Sequence, residues 1–502
     1  MLNTTLKPVT PGSFSDEAKT TAEHMPPRDR DLRPDARYRL DLLFDADTFV
    51  EVGTEVRHRR TDFGLANKVV RGDGVITGFG NVDGKRVYAY SQDRAAFGGA
   101  LGESHAKKIT HLQEMALRDK APMVCINDSG GARIQEGVDA LAGYGAIFHN
   151  HVAAAGKIPQ IAVIAGSCAG GAAYGPTLCD LTVMVEGSTM FLTGPRVVEK
   201  ACMETVTAED LGGVENHGKV TGLAHLVTPD DYAAIAKVRL LLRYLTCPQE
   251  TPHLADVVDP GQFVPADGRK VYAVQKVIKA VVDKDSFLEL QPGFARNVVV
   301  GFARINGGSV GIVANNPMRI GGVLDAEASR KAARFIRMCD AYGLPIVTLV
   351  DVPGFLPGLG QERANVIGHG SKLLYAYCES KVPKVSIVLR KAYGGSYIVM
   401  SSRSIGGDYC FAWAGAEIAV MGKEGAAEIL YRKEIAASAD PEATTLAKQE
   451  EYAEWMLNPM RAAEHGHLDA IITPAETRRT IVNCLRGYEY GRGREGAGNI
   501  SL

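Results

Sequence analysis

Read as apolar and polar positions, the chain alternates between two periods. Tyr38, Leu40, Leu42, Leu43 and Phe44 fall at helical spacing, predicting a helix over residues 37–51. Strand-like runs at 74–80 and 86–90, separated by Val82-Asp83-Gly84-Lys85, predict a hairpin. A helical pattern over 103–120 then leads into 122–128, an unbroken apolar run suited to a buried strand, which ends in a glycine-rich loop. Another such run, 160–166, enters Ser167-Cys168-Ala169-Gly170-Gly171-Ala172-Ala173-Tyr174-Gly175-Pro176, and a further one follows at 181–185. Helices alternating with apolar strands predict a layered α/β protein.

The pattern occurs twice. Gly301 repeats Gly78 and Asp351 repeats Asp128, both 223 residues on; Pro383 repeats Pro159 and Gly394-Gly395 repeats Gly170-Gly171, both 224 residues on. Landmarks in step over such a distance mark two homologous domains. The polar, proline-dotted stretch from about Gln249 to Gly268 reads as their linker. The expected division is a loose N-terminal arm at 1–34, an N-terminal domain at 35–250, a linker at 251–268 and a C-terminal domain at 269–502.

Composition narrows the function. With 502 residues, two to four domains can each bury a core. A net charge of −2 gives no electrostatic case for nucleic acid or an anionic membrane. Nine cysteines stand singly, without a C-x-x-C pair, which argues against structural zinc and for a reducing cytoplasm. No apolar run approaches the roughly 18 residues that span a bilayer. Residues 1–34 lack the apolar centre of a signal peptide.

Candidate chemistry lies in the glycine pairs. A strand running through Gly-Gly into a helix leaves backbone N–H groups bare, able to hold a developing oxyanion. Close helix–strand packing would also select glycine. Two pairs at equivalent points suit a reaction in which a group moves between two carbonyl partners, each becoming an enolate-like anion.

Longer motifs carry a resemblance. The segments Asn127-Asp128-Ser129-Gly130-Gly131-Ala132-Arg133-Ile134-Gln135-Glu136-Gly137, Cys168-Ala169-Gly170-Gly171 and Asp351-Val352-Pro353-Gly354-Phe355-Leu356-Pro357-Gly358 resemble the carboxyltransferase (β) subunits of acyl-CoA carboxylases, the propionyl-CoA carboxylase type. So do Gly311-Ile312-Val313-Ala314-Asn315-Asn316-Pro317, Ala419-Val420-Met421-Gly422 and the closing Gly498-Asn499-Ile500-Ser501-Leu502. The resemblance runs from about Arg37 to Leu502. It implies two tandem crotonase-like (ClpP/crotonase, ββα superhelix) domains in a homohexamer, with active sites between protomers. The N domain of one protomer would hold acyl-CoA, and the C domain of its neighbour carboxybiotin.

By the same resemblance, Gly170 and Gly171 would donate to the thioester oxygen, and Gly395 and Ser396 to the biotin ureido oxygen. Gly130, Gly131, Ala132 and Arg133, after a buried strand, form either a simple turn or a CoA site, with N–H and Arg133 contacts to phosphate or a part in shaping the acyl pocket. Pro353, Gly354 and Phe355 would lie on the biotin side. Biotin itself would serve as the base, so no protein His or Glu is needed. It would arrive on a separate biotin carboxylase/biotin carboxyl carrier subunit, since no Met-Lys-Met site is present; no metal is implied in this chain. Rival readings are a decarboxylase or transcarboxylase running the chemistry in reverse, or an inactive hexameric scaffold.

The sequence departs from the family at Ser167, Gly175, Ser396 (usually Ala), the 360–365 stretch and Ile398. Propionyl-selective members have Asp at the position of Ile398, so acetyl or longer acyl chains are expected to fit as well. Gly213–Lys219 copies P-loop spacing, but Val220 replaces the hydroxyl that Mg²⁺ requires. His149 and His151, two apart on a helix, are expected on its surface rather than on a shared metal.

Overall fold

A computed structural model describes residues 35–246, 249–252 and 258–491; the expected arm at 1–34 and the closing Gly498–Leu502 motif lie outside these. The hairpin forms as β2 (Val75–Val82) and β3 (Lys85–Gln92), paired antiparallel from Val75↔Gln92 to Val82↔Lys85. Its two-residue turn, Asp83-Gly84, has φ of 50° and 76°, as hairpin geometry requires. Asp45 accepts both turn N–H groups.

The helix expected over 37–51 is shorter. It is α1 (Ala36–Leu43), capped by the Asp35 carboxylate on the Tyr38 N–H. The backbone extends at Phe44 and turns at Asp47 (φ 60°) before forming β1 (Val50–Val52) on the edge of β2. Beyond β3 the sheet is parallel: β4 (Met123–Ser129), β5 (Gln160–Ala169), β6 (Leu181–Val185) and, past a short β7 (Thr189–Phe191), β8 (Leu226–Thr228). The order is β1-β2-β3-β4-β5-β6-β8, with β7 on the far end of β5. Helices α2 (Glu103–Arg118) and α3 (Val138–Ala154) make the crossovers into β4 and β5.

The second half repeats this strand for strand. It comprises β9 (Leu288–Leu290), β10 (Val298–Ile305), β11 (Gly308–Asn315), β12 (Ile346–Val352), β13 (Lys384–Tyr393), β14 (Tyr409–Trp413), β15 (Glu417–Ala419) and β16 (Ala470–Ile472). Their order mirrors that of the first sheet, with β15 on β13 as β7 is on β5. Even the register shifts correspond, at Asn127/Ser129 and Val350/Val352. This is the doubled fold expected from the offset.

The halves share a core. One buried apolar cluster includes Leu40, Val124, Val163 and Leu241 from the first and Phe302, Ile336 and Val350 from the second. Helix α4 (Ala326–Ala341) also reaches across: Arg334 donates to the Cys179 and Asp180 carbonyls, and Tyr342 just beyond donates to Asp180 Oδ2 at 2.5 Å. Within the stretch expected to be the linker, Gln249 bridges Gly308 and Pro260–Phe263 is a helical turn capped by Asp259.

Candidate active site

Strand β5 runs three residues past its apolar stretch, because Ser167, Cys168 and Ala169 pair with Thr189, Met190 and Phe191 of β7. The chain then turns at Gly170, whose φ of 61° suits glycine. The helical turn Gly170–Ala173 follows and continues as α5 (Tyr174–Leu178). In the second half, β13 ends at Tyr393, Gly394 has φ 59°, and α6 (Gly394–Val399) begins. At such a start the first N–H groups have no intrahelical acceptor. Gly170 thus corresponds to Gly394, Gly171 to Gly395 and Ala172 to Ser396. The donor pairs expected from sequence, Gly170–Gly171 and Gly395–Ser396, are therefore one position out of step. In both halves the left-handed glycine turns the chain, and the next two residues present first-turn N–H groups.

A second loop abuts each turn. Leu101 N–H donates to the Gly131 carbonyl and Arg133 N–H to the Leu101 carbonyl, both at 2.9 Å. Likewise Leu324 N–H donates to Gly354 and Leu356 N–H to Leu324, at 3.0 and 2.7 Å. The middle residues, Ala132 and Phe355, keep their N–H groups out of these pairings. A Cβ on Gly131 would come within 2.9 Å of the Ala169 carbonyl oxygen, so this loop lies against the first glycine turn. The segments assigned to CoA and to biotin are thus one loop in two copies. Sequence hid this, because Gly130-Gly131-Ala132 and Pro353-Gly354-Phe355 share only the central glycine.

The two turns differ in their surroundings. A Cβ on Gly171 would meet the Tyr144 ring at 2.8 Å, whereas one on Gly395 would meet nothing within 4 Å. The first turn is walled by Tyr144, Phe148 and Tyr174, with successive ring centroids 5.8 Å apart. Ile398 on α6 is 42% exposed, and Tyr174, its counterpart, 49%.

Residues 33–492 match the carboxyl transferase domain family. The chain belongs to this family. It is 48% identical over 467 residues to the methylmalonyl-CoA carboxyltransferase 12S subunit of Propionibacterium freudenreichii subsp. shermanii, covering 91% of this chain and 89% of that one. It is 47% identical to the propionyl-CoA carboxylase beta chain of Cereibacter sphaeroides, over 89% of each. A solved transcarboxylase 12S, described as a hexamer assembly with methylmalonyl-coenzyme A and methylmalonic acid bound, superposes with a TM-score of 0.88. That match has 47% identity and covers 93% of this chain and 92% of that one.

Against this carboxyltransferase frame, two expectations need correction. Arg133 does not face a ligand: its side chain is 1% exposed, with Nη1 2.7 Å from both Asp73 Oδ1 and Glu136 Oε1. Nη2 donates to the Ala100 carbonyl, and the guanidinium lies over the Phe97 ring. The N–H groups of Gly130 and Gly131 are likewise spent, on the Gly98 carbonyl and Ser129 Oγ. His151, expected on a helix surface, is fully buried; its Nδ1 lies 2.7 Å from Gln160 Oε1, while His149 is exposed. Among the described residues, Cys125, His151 and Cys179 bring their ligand atoms within 4.8 Å in that core. At Ser396, whose N–H is the expected donor, the buried hydroxyl donates to the Tyr393 carbonyl at 2.7 Å.

The other reactive side chains near the turns are committed internally. Cys168 donates to the Ala172 carbonyl at 3.0 Å, and burial, aided by the Asp128 charge, pushes its thiol well up, away from the nucleophilic thiolate. Asp128 pairs with Arg94 and Arg39. Its counterpart Asp351 accepts from Tyr272 and Arg390; burial raises its pKa despite those partners. The P-loop look-alike forms a π-helical turn, Asn216–Val220.

Proposed function

We propose that this chain is the carboxyltransferase subunit of a biotin-dependent acyl-CoA carboxylase. It moves a carboxyl group from carboxybiotin, carried by a partner subunit, to the α carbon of a propionyl, acetyl or somewhat longer acyl-CoA. The observation that carries this reading is the doubled left-handed glycine turn, each opening a helix beside a loop with one unspent N–H.

The first turn takes the thioester. Gly171 and Ala172 N–H groups, with Ala132 N–H from the adjoining loop, stabilise the thioester oxygen as the α carbon becomes an enolate. Such donors are preorganised by strand and helix, so no reorganisation is needed when charge develops. Tyr144 behind Gly171 holds the donors in place and excludes water. The second turn, at Gly395 and Ser396, fits the ureido oxygen of biotin: the space a Cβ would occupy at Gly395 is open, as it is at Gly354 beside Phe355. When bound there, biotin supplies both the carboxyl group and the base for the α-proton. The protein's own carboxylates at these strand ends are held in ion pairs, which suits a reaction needing no side-chain base.

In this reading 35–250 forms the acyl-CoA side, 251–268 joins the halves, and 269–502 forms the biotin side. A homohexamer would place the first turn of one protomer opposite the second turn of its neighbour. Ile398, exposed on α6, would shape acyl-chain selection. The unpaired thiols suit a cytoplasmic enzyme; all eight described cysteines are free. Reverse transfer, from methylmalonyl-CoA to biotin, uses the same donors and is favoured by the likeness to the 12S subunit.

The test is decarboxylation of methylmalonyl-CoA by the purified chain with free biotin added. Biotin-dependent turnover is expected, while acyl-CoA, ATP and bicarbonate without the partner subunit should give no product. Absence of biotin-dependent turnover in the intact assembly would overturn the reading.

A further inference from the structure

Two cations on α4, one turn apart, are buried without a counterion. Lys331 is 2% exposed, and its ammonium donates to the carbonyls of Gln291, Phe294 and Val298 at 3.0, 2.8 and 2.8 Å. Burial lowers its pKa to about 7. Arg334 donates to the Cys179 and Asp180 carbonyls, while its buried Nε has no acceptor among the described residues. Among those residues neither cation forms an ion pair; Glu289 attracts Lys331, and Asp180 attracts Arg334, from beyond contact. Folded chains seldom leave buried charge in this state, because desolvation is repaid only by a close partner.

Both cations line a cavity of about 50 Å³ in the seam between the halves. Arg330 lines it too; its side chain is 28% exposed and donates to the Thr221 carbonyl at 3.0 Å and to Glu327. The first half contributes Thr177 of α5, Thr221 and His225. His225 is 5% exposed, and its Nδ1 accepts the Thr182 N–H at 3.1 Å, which puts the ring proton on Nε2. Burial, aided by the Arg334 charge, keeps that ring neutral. No described residue accepts from Nε2. The cavity thus gathers three cations and an unspent N–H, and no described Asp or Glu lines it. One water needs roughly 10–15 Å³ of such space, so the volume suits a single small oxyanion and excludes a nucleotide. We propose that this cavity binds a tetrahedral oxyanion, phosphate or sulfate, which supplies the countercharge and clamps the two halves together. Its oxygens accept from Arg330, Arg334 and His225, and Lys331 adds charge behind them. A ligand held only by the folded chain stabilises it by mass action.

The experiment is thermal unfolding and calorimetric titration of the intact assembly with phosphate, with sulfate and, at matched ionic strength, with chloride. Phosphate or sulfate is expected to raise the melting temperature saturably, and chloride to leave it unchanged. A rise with one oxyanion identifies the ligand; a rise with both assigns the site to their shared geometry. Arg330→Gln, at a partly exposed position, should weaken oxyanion binding about tenfold, the scale of one charge-assisted hydrogen bond. Arg334→Met, which removes the buried charge and keeps an apolar stem, should abolish the rise. If that variant does not assemble, the Arg330→Gln affinity decides. An equal rise with chloride, no oxyanion binding by the wild type, or wild-type affinity in either variant would each overturn the site.

Discussion

Gly171 and Gly395 occupy equivalent positions, yet their neighbours predict different responses to the same change. A methyl group on Gly171 must displace the Tyr144 ring at 2.8 Å, while one on Gly395 enters empty space. Gly171→Ala should therefore lower the melting temperature and cut kcat/KM by roughly 10²–10³, the scale of a lost oxyanion donor. Gly395→Ala should leave the melting temperature unchanged and still depress transfer, since the methyl group would enter the space proposed for the biotin carbonyl. Thermal unfolding beside steady-state kinetics checks this; equal destabilisation of both variants would contradict it. The glycine turns were legible in sequence, because strand-Gly-Gly-helix is a pattern few other residues satisfy. The identity of the donors was not. It depends on which glycine adopts positive φ, and a glycine pair alone does not reveal that. Arg133 was misread for a related reason: its partner Asp73 lies 60 residues upstream, brought close only by the fold.

At the scale of elements, Arg133 ties the Ala132 loop to α2 and to the turn before β2. Its partners Asp73 and Glu136 are themselves buried. Arg133→Met leaves two carboxylates without their cation, and about 3–5 kcal/mol of stability should be lost. Urea unfolding measures this, and a loss under 1 kcal/mol would contradict the buried network. Most elements were legible because each apolar run between glycine-rich loops had one reading as a strand. The misses arise where tertiary pairing overrides local pattern. Helix α1 stops early because β1 must pair with β2, and β5 gains three residues from β7, itself only three residues long. The equivalence of the two loops was hidden by side chains, since their shared geometry is a property of the backbone.

Across the whole molecule, the halves are joined through Asp180. Burial raises its pKa to about 6, against opposing hydrogen bonds from Tyr342 and the Gln160 N–H. Its ordinary value is 3.8, so between about pH 4 and 6 the native state holds a proton that the unfolded chain has released. This contribution to stability is present at low pH, falls as pH rises through that window, and is flat above it. Asp180→Asn removes it: wild type should lose stability relative to the variant between pH 4 and 6 in chemical unfolding. Parallel profiles would contradict the assignment. The duplication that places one glycine turn in each half was legible at full scale, as a constant offset of 223–224 residues. The sharing of one core was not, because it depends on which faces meet. The claim that the two turns serve one reaction across a protomer boundary is tested most directly by complementation. Gly171→Ala and Gly395→Asp chains, each inactive alone, would be co-expressed and assayed for carboxyl transfer. Sites built from two protomers should restore about a quarter of wild-type activity in random heteromers; activity no higher than that of the separately purified variants would contradict it.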